Sequence, residues 1–401
     1  MKEKRRLIFV LVLSIVSILV NAESSIKIDG IYYVLNNSSL SAEVSKMPSS
    51  FDGTSIISNY YSGDITIPEV IEYEGKKYTI TSVGEEAFSG CTELLSISMP
   101  NTVINIGEKA FQDCRSLKTI DIPKGIEIIK DETFAGMIGI TSIVIPESVV
   151  RINKYAFMFC NNLKNVYIDG LIQQIGDDAF FGCDSIENVY IKDLVHFSGL
   201  YLWTIYSSPL SYAKHMYFNG QEIVNLRIPE EIDYVSRWAF LGCDFLESVT
   251  IPNHVRRIEQ GAFAECSNLK ILIIGEGVYH FGDYAFQGCN SLTDVYCYSK
   301  ERPNQPGYNM FQGCDLEKAT LHVPEGGIDG YKESNTWNKF GKIVPLELKD
   351  PSPFTAMLFK QINGAEIKDV YSVNGDHIRY PAKGINIIKY RNGEVKKVII
   401  K

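Results

Sequence analysis

The sequence is poor in the constellations on which catalysis depends. Its six histidines, His196, His215, His254, His280, His322 and His377, contain no pair at i, i+3 or i, i+4 and form no metal-binding run. No nucleophile elbow, P-loop or H-E-x-x-H motif is present. Gly275-Glu276-Gly277 lacks the third glycine and the following helix of a phosphate loop, so it reads as a turn. The chain is therefore expected to be no enzyme and to carry neither cofactor nor metal. A basic patch interleaved with aromatics is also missing, and the net charge is −9. An acidic surface disfavours nucleic acid and anionic lipid. The N-terminal apolar run, Leu7 to Val20, falls short of the roughly 20 residues a membrane span needs. It follows Lys2, Lys4, Arg5 and Arg6 and precedes Val20-Asn21-Ala22, which reads as a secretory signal peptide over residues 1–22. Cleavage there would bring the net charge near −12 and leave no transmembrane segment. No cysteine follows to carry a lipid anchor.

What is abundant is one dipeptide. Ala87-Phe88, Ala110-Phe111, Ala156-Phe157, Ala179-Phe180, Ala239-Phe240, Ala262-Phe263 and Ala285-Phe286 share a 23-residue phase, with Thr133-Phe134 in step and Met310-Phe311 continuing it loosely. A fixed period between about 20 and 50 residues marks stacked repeats. One unit runs Leu94, Ile97, Met99, Pro100, Val103, Ile106, Ala110, Phe111, Cys114. Ile97 and Met99 alternate with polar neighbours, a strand period. The proline ends pairing because it has no N–H. Val103 and Ile106 predict a short second strand, and the segment before Ala-Phe a single helical turn. No such coil can bury its own apolar face, so neighbours must stack. Phe88, Phe111, Phe134, Phe157, Phe180, Phe240, Phe263 and Phe286 are the expected repeat core. The fold class is a repeat solenoid, mainly β with short helical turns.

Nine cysteines in an exported chain would ordinarily prompt disulfides. Here Cys91, Cys114, Cys160, Cys183, Cys243, Cys266, Cys289 and Cys314 all lie three residues after a repeat phenylalanine, where Met137 also stands. Methionine cannot form a disulfide, so the slot asks for a small, soft apolar filler. Free buried thiols and no disulfide are expected.

The period fails between Ile186 and Ile223, where residues 192–222 form an enlarged, divergent coil rich in aromatics. A second expansion lies at Lys300–Asn309. Residues 23–82 lack the period and read as an N-terminal β cap, with turns at Asp29-Gly30 and Glu74-Gly75. The repeats occupy 83–348. Thr320–Pro324 reads as a last strand, and 318–348, with Tyr331, Trp337 and Phe340, as a C-terminal cap. Asp350-Pro351-Ser352-Pro353 reads as a linker, and 349–401 as a small all-β module whose hairpins turn at Asn374-Gly375 and Asn392-Gly393.

The phased unit I-P-x-x-V-x-x-I-x-x-x-A-F-x-x-C-x-x-L resembles the BspA-like leucine-rich repeat over about residues 65–345. The lead-in at Ile28-Asp29-Gly30-Ile31-Tyr32-Tyr33 and the divergent coil with Trp203, Pro209-Leu210 and Asn219-Gly220 are similar to that family's as well. The tail from Val370-Tyr371-Ser372-Val373-Asn374-Gly375 through Ile385-Asn386-Ile387-Ile388 resembles a type IX secretion C-terminal sorting domain. The resemblance implies a right-handed solenoid with a parallel sheet, export to the cell surface, and adhesion to host matrix proteins or other bacteria. A scaffold does not transfer its ligand, however.

Between core positions, the strand residues Ser96 and Ser98, Thr119 and Asp121, Asn165 and Tyr167, Asn188 and Tyr190, Ser248 and Thr250, and Asp294 and Tyr296 are expected to face solvent. Exposed Tyr and Trp are enriched in binding hot spots. Tyr167, Tyr190, Tyr201, Trp203 and Tyr206 are thus the candidate binding residues, for an extracellular protein ligand on a monomeric, secreted or surface-held chain. Stacked tyrosines suit sugar faces too. The alternative is a carbohydrate-binding or structural cell-envelope protein.

Overall fold

The computed structural model describes residues 25–51, 56–57, 60–303 and 306–346, with the strands 367–372, 377–378, 384–390 and 395–400. The signal-peptide reading over 1–22 and the linker reading at Asp350–Pro353 lie outside the described residues. The fold is a mainly β, parallel-strand solenoid. By contact the chain forms two compact units, Met1–Glu187 with Tyr206–Tyr212, and Asn188–Ile205 with Ala213–Lys401.

The first unit opens with a hairpin, Ile26–Ile28 against Ile31–Asn36. Asp29 (φ 47°) and Gly30 (φ 87°) supply the two left-handed residues its tight turn needs. Glu74 and Gly75 do the same between Val70–Tyr73 and Lys76–Val83. Lys76–Val83 then pairs in parallel with Asn105–Ile106, which turns an antiparallel start into a parallel stack. Beyond it run two rows. Ile128–Ile129, Arg151–Ile152 and Gln174–Ile175 form one, and Ser142–Ile145 with Asn165–Ile168 the other. Ile143 and Ile145 are buried while Val144 is exposed, as period two requires. Ile120 and Ile122 are buried without forming a strand, and Leu94–Ser98 pairs with Gly63–Thr66 instead.

In the second unit Asn188–Ile191 pairs with His215–Phe218, which turns through Asn219-Gly220 into Gln221–Glu222. A parallel sheet follows through Asn225–Arg227, Ser248–Ile251, Ile271–Ile274, Asp294–Cys297, Thr320–Val323 and Lys342–Pro345. Thr320–Val323 is therefore not the last strand, because Lys342–Pro345 pairs beyond it in parallel. Tyr331, Trp337 and Phe340 are buried beside these strands. Ser248 and Thr250 do not face solvent. In register they lie between Asn225 and Arg227 on one side and Ile271 and Ile273 on the other, both are buried, and the Ser248 hydroxyl donates to Asn225 Oδ1 at 2.5 Å. The C-terminal strands form their own antiparallel sheet, in the order His377–Ile378, Ile367–Ser372, Gly384–Tyr390, Val395–Ile400.

The segment around each Ala-Phe is not a helical turn. Two left-handed residues bracket it, four positions apart: Glu86 and Gly90, Lys109 and Asp113, Glu132 and Gly136, Tyr155 and Phe159, Asp178 and Gly182 in the first unit. Trp238 and Gly242, Gly261 and Glu265, Tyr284 and Gly288, and Asn309 and Gly313 do so in the second. This alternation points successive N–H groups in opposite directions. Those of Glu86, Phe88 and Gly90 donate to Glu108, Ala110 and Gln112 of the next coil, while those of Ala87, Ser89 and Cys91 close turns within their own. A helix would direct every N–H along its own axis and leave the coils unjoined. Each left-handed non-glycine residue costs about 1–2 kcal/mol. Pairing the buried backbone offsets that cost.

Inside, the phenylalanines stack. Phe88, Phe111, Phe134, Phe157 and Phe180 are fully buried, with successive centroids 5.0–5.8 Å apart. Tyr61 closes the first end of that ladder, at 4.9 Å from Phe88. In the second unit Phe197, from the helix Leu194–Ser198, precedes Phe240, Phe263, Phe286 and Phe311, and Trp337 covers the far end. All nine cysteines are free, eight of them buried. The thiol does more than fill space. Cys114 donates to the carbonyl of Phe88, Cys160 to Phe134 and Cys183 to Phe157, each at 3.1 Å. Cys266 and Cys289 repeat the contact on Phe240 and Phe263.

Candidate functional site

The five candidate residues divide between the units. In the first, Tyr167 sits half-buried on Asn165–Ile168, in register with Val144, and Tyr206 is exposed. In the second, Tyr190 is half-buried and stacks on Tyr217, with centroids 4.7 Å apart and ring planes at 15°. Tyr201 and Trp203, 48% and 45% exposed, meet edge to face at 5.5 Å. They protrude from the enlarged coil and do not pack its interior. Leu200 and Leu202 beside them are buried instead. Arg237 completes the cluster. Its guanidinium lies 4.9 Å from the Tyr201 ring centroid and 5.0 Å from that of Trp238, and its Nε donates to the Leu202 carbonyl at 2.8 Å. The cation of this cluster is thus supplied from within the chain.

Tyr206 belongs to a second arrangement. The segment Tyr206–Tyr212 continues the Phe180 coil, with the Phe180 N–H donating to the Tyr206 carbonyl and the Gly182 N–H to the Tyr212 hydroxyl. Phe159, Phe181, Tyr206 and Tyr212 line a cleft of about 360 Å³ together with Asn161, Gly182 and Asp184. Phe159 and Phe181 meet edge to face at 5.5 Å, Phe181 and Tyr206 at 5.2 Å, and Tyr206 lies nearly parallel to Tyr212 at 6.2 Å. Phe159 is 46% exposed and left-handed (φ 59°). Its slot holds glycine at 90, 136, 182, 242, 288 and 313. Its ring lies against Gly182, where a Cβ would come within 2.5 Å of it, so glycine at 182 makes room for the ring. Asn161, with Nδ2 as donor, ties the carbonyls of Phe159 and Gly182 together at 2.7 and 3.0 Å. Burial pushes the Tyr212 phenol up to about 12, and the carboxylate of Asp184 adds to the rise while the Gly182 N–H opposes it.

Burial pushes up the thiols of Cys91, Cys114, Cys183, Cys243, Cys266, Cys289, Cys297 and Cys314, Cys91 to about 11, so these stay protonated. His196, His215, His254 and His322 each lie against one carboxylate, of Asp193, Glu222, Glu230 and Asp294. His280 stands in a short strand, His280–Phe281. Among the described residues no three of His, Cys, Asp and Glu come together in a way that could hold a metal. Nor is any described helix long and apolar enough to cross a membrane.

The model of the BspA type leucine-rich repeat region matches six copies, over residues 81–204 and 212–328, more than half of the chain. The chain belongs to the BspA-type leucine-rich repeat family. The match of the BspA-type repeat breaks only within the enlarged coil, at 205–211, almost the same stretch that joins the first compact unit. A leucine-rich repeat protein from Bacteroides ovatus is 22% identical, covering 80% of this chain and all of its own, with a TM-score of 0.35. A leucine-rich cell surface protein from Faecalibacterium prausnitzii is 20% identical over 81% of this chain and 95% of its own, with a TM-score of 0.39. The pneumococcal vaccine antigen PcpA is 17% identical over 81% of this chain and 99% of its own, with a TM-score of 0.42. No curated protein matches the chain.

Sequence reasoning passes over Phe159, Phe181, Tyr212 and Arg237. The BspA-type register itself carries the signal for two of them. Phe159 stands in a slot that is otherwise mostly glycine, and Phe181 where Ser89, Gln112 and Ala135 stand in earlier coils.

Proposed function

We propose that this BspA-type chain is exported and acts at the cell surface, or as a secreted protein, by binding other proteins of host matrix or neighbouring bacteria. The observation that carries the reading is the set of exposed aromatics, above all Tyr201 and Trp203, on a repeat scaffold. Large aromatic side chains left in water on a rigid repeat surface are what a hot spot requires. The basic and apolar N-terminus, Lys2 to Val20, supports export, and the antiparallel C-terminal sheet is proposed as a sorting module. The proposed contact residues are Tyr167 and Tyr206 on one unit and Tyr190, Tyr201 and Trp203 on the other. One observation favours the carbohydrate reading: Tyr190 and Tyr217 form a nearly parallel stack, and stacked tyrosines can hold a sugar face. Screening the chain against a panel of matrix proteins and a glycan array separates the two. Binding to a matrix protein that falls at least about tenfold in Tyr201→Ser/Trp203→Ser supports the first. Binding confined to glycans, and lost with Tyr190→Ser, overturns it.

A further inference from the structure

We infer that the cleft of Phe159, Phe181, Tyr206 and Tyr212 receives a cationic side chain, the guanidinium or ammonium of an arginine or lysine on the bound protein, with Asp184 as its counter-charge. The inference rests on the protein-binding reading and names the chemistry of one contact. Three observations carry it. The rings meet edge to face at 5.5 and 5.2 Å and form a concave box, where a sugar would need a flat platform. A cation within about 6 Å of such ring faces is held by their quadrupoles. The cleft contains one charged group, Asp184, and no lysine, arginine or histidine lines it. No ion pair among the described residues involves Asp184, although carboxylates at Asp113, Glu187 and Glu247 elsewhere are matched by Arg115, Lys164 and Lys270.

The second cluster supplies the contrast. Over Tyr201 the cation is Arg237, already in place. The cleft repeats that ring chemistry, adds a carboxylate and supplies no cation of its own. The ring is also carried at a costly position. Phe159 holds a left-handed conformation that glycine adopts freely and that a bulky side chain rarely does. The slot is left-handed in every coil, so what sets this coil apart is an exposed phenylalanine where most coils hold glycine.

The test uses the full chain and N-acetyl-arginine amide, with N-acetyl-citrulline amide as its neutral isostere, read by saturation-transfer NMR. The arginine amide should draw saturation from aromatic protons, the citrulline amide at least about tenfold less. Phe159→Gly and Asp184→Asn should each weaken the arginine amide at least about fivefold, and 0.5 M salt should weaken it further. Asp184→Asn is an exposed, isosteric change, so it keeps the test decisive if Phe159→Gly perturbs its coil. Equal binding of the two amides overturns the inference. So does an arginine signal unchanged in both variants, or its displacement by a neutral oligosaccharide. If a matrix protein binds the chain while the arginine amide does not, the inference fails and the protein-binding reading stands. If no protein binds but the amide is held as described, that reading fails and the cation site stands.

Discussion

The phenolic oxygen of Tyr212 accepts the N–H of Gly182 at 3.1 Å. In the coils before it the equivalent N–H donates to a main-chain carbonyl: Gly90 to Gln112, Asp113 to Ala135, Gly136 to Met158, and Phe159 to Phe181, at 2.7–2.8 Å. A side chain stands in for the next coil at the point where the 23-residue period stops. The same ring then forms a wall of the cleft, so coil closure and cleft geometry depend on one residue.

Tyr212→Phe keeps the ring and removes the acceptor. The Gly182 N–H is then left to solvent or to nothing, at a cost of about 1 kcal/mol. Urea denaturation should show a lower midpoint with an unchanged slope.

Two phenylalanines two residues apart should behave in opposite ways. Phe157 is fully buried in the ladder, and Phe157→Ala should cost about 3–5 kcal/mol. Phe159 is nearly half exposed and left-handed. Phe159→Gly gives up some packing on Phe181 and removes strain worth about 1–2 kcal/mol, so stability should change by less than about 1 kcal/mol. Calorimetric melting of both variants decides this. A large loss at 159 would make it a core residue.

How far the fold is legible in the sequence follows from the same contrast. Ala-Phe spacing and the in-phase cysteines mark the coils and their stacking, because burial selects side-chain identity. The left-handed slot before each alanine is not legible. It holds Glu86, Lys109, Glu132, Tyr155, Asp178, Trp238, Tyr284 and Asn309, and a glycine only at Gly261. Hydrogen bonds between coils impose that conformation, and residue preference does not report it. Tyr201 and Trp203 are legible as exposed aromatics on an irregular coil, but their partner Arg237 is not. The cleft is hidden because Tyr212 reaches Gly182 from 30 residues away, through a segment without the repeat.

Thiol chemistry should follow burial. A thiol reagent at pH 8 should leave the native chain almost unmodified, with slow reaction only at half-buried Cys314. Unfolded without reductant, the chain should yield nine thiols. A count of seven or fewer contradicts the free-thiol structure.

Alkali should destabilise the protein earlier than acid-base behaviour of surface groups would suggest. Burial raises Tyr33, Tyr61 and Tyr212 from 10.0 to about 12, and Cys91 from 9.0 to about 11. In these windows the unfolded chain has lost protons that the folded chain keeps. Stability is therefore full below pH 9 and falls as pH rises, by about 1.4 kcal/mol per pH unit for each group while it lies between its two values. Urea midpoints under reducing conditions at pH 8, 10 and 11 should decline in that order. A flat profile would show that these side chains are open to water.

Arg237 tests whether the exposed aromatic cluster is held in place or free. Its guanidinium faces Tyr201 and Trp238 while its Nε holds the Leu202 carbonyl, so one side chain fixes both the ring and the backbone beneath it. Arg237→Ala removes a charged hydrogen bond of about 1.5–3 kcal/mol and a cation–π contact of about 0.5–1 kcal/mol. Partial exposure of the group places the net loss at the lower end of that range. Of the three tryptophans, Trp337 is buried in the far cap, so a change in emission reports on Trp203 and Trp238. Loss of the guanidinium should alter that emission and quicken acrylamide quenching, with the Phe ladder intact. Arg237→Lys should restore the charge but not the planar contact or the Nε bond, and so should recover only a part of the stability.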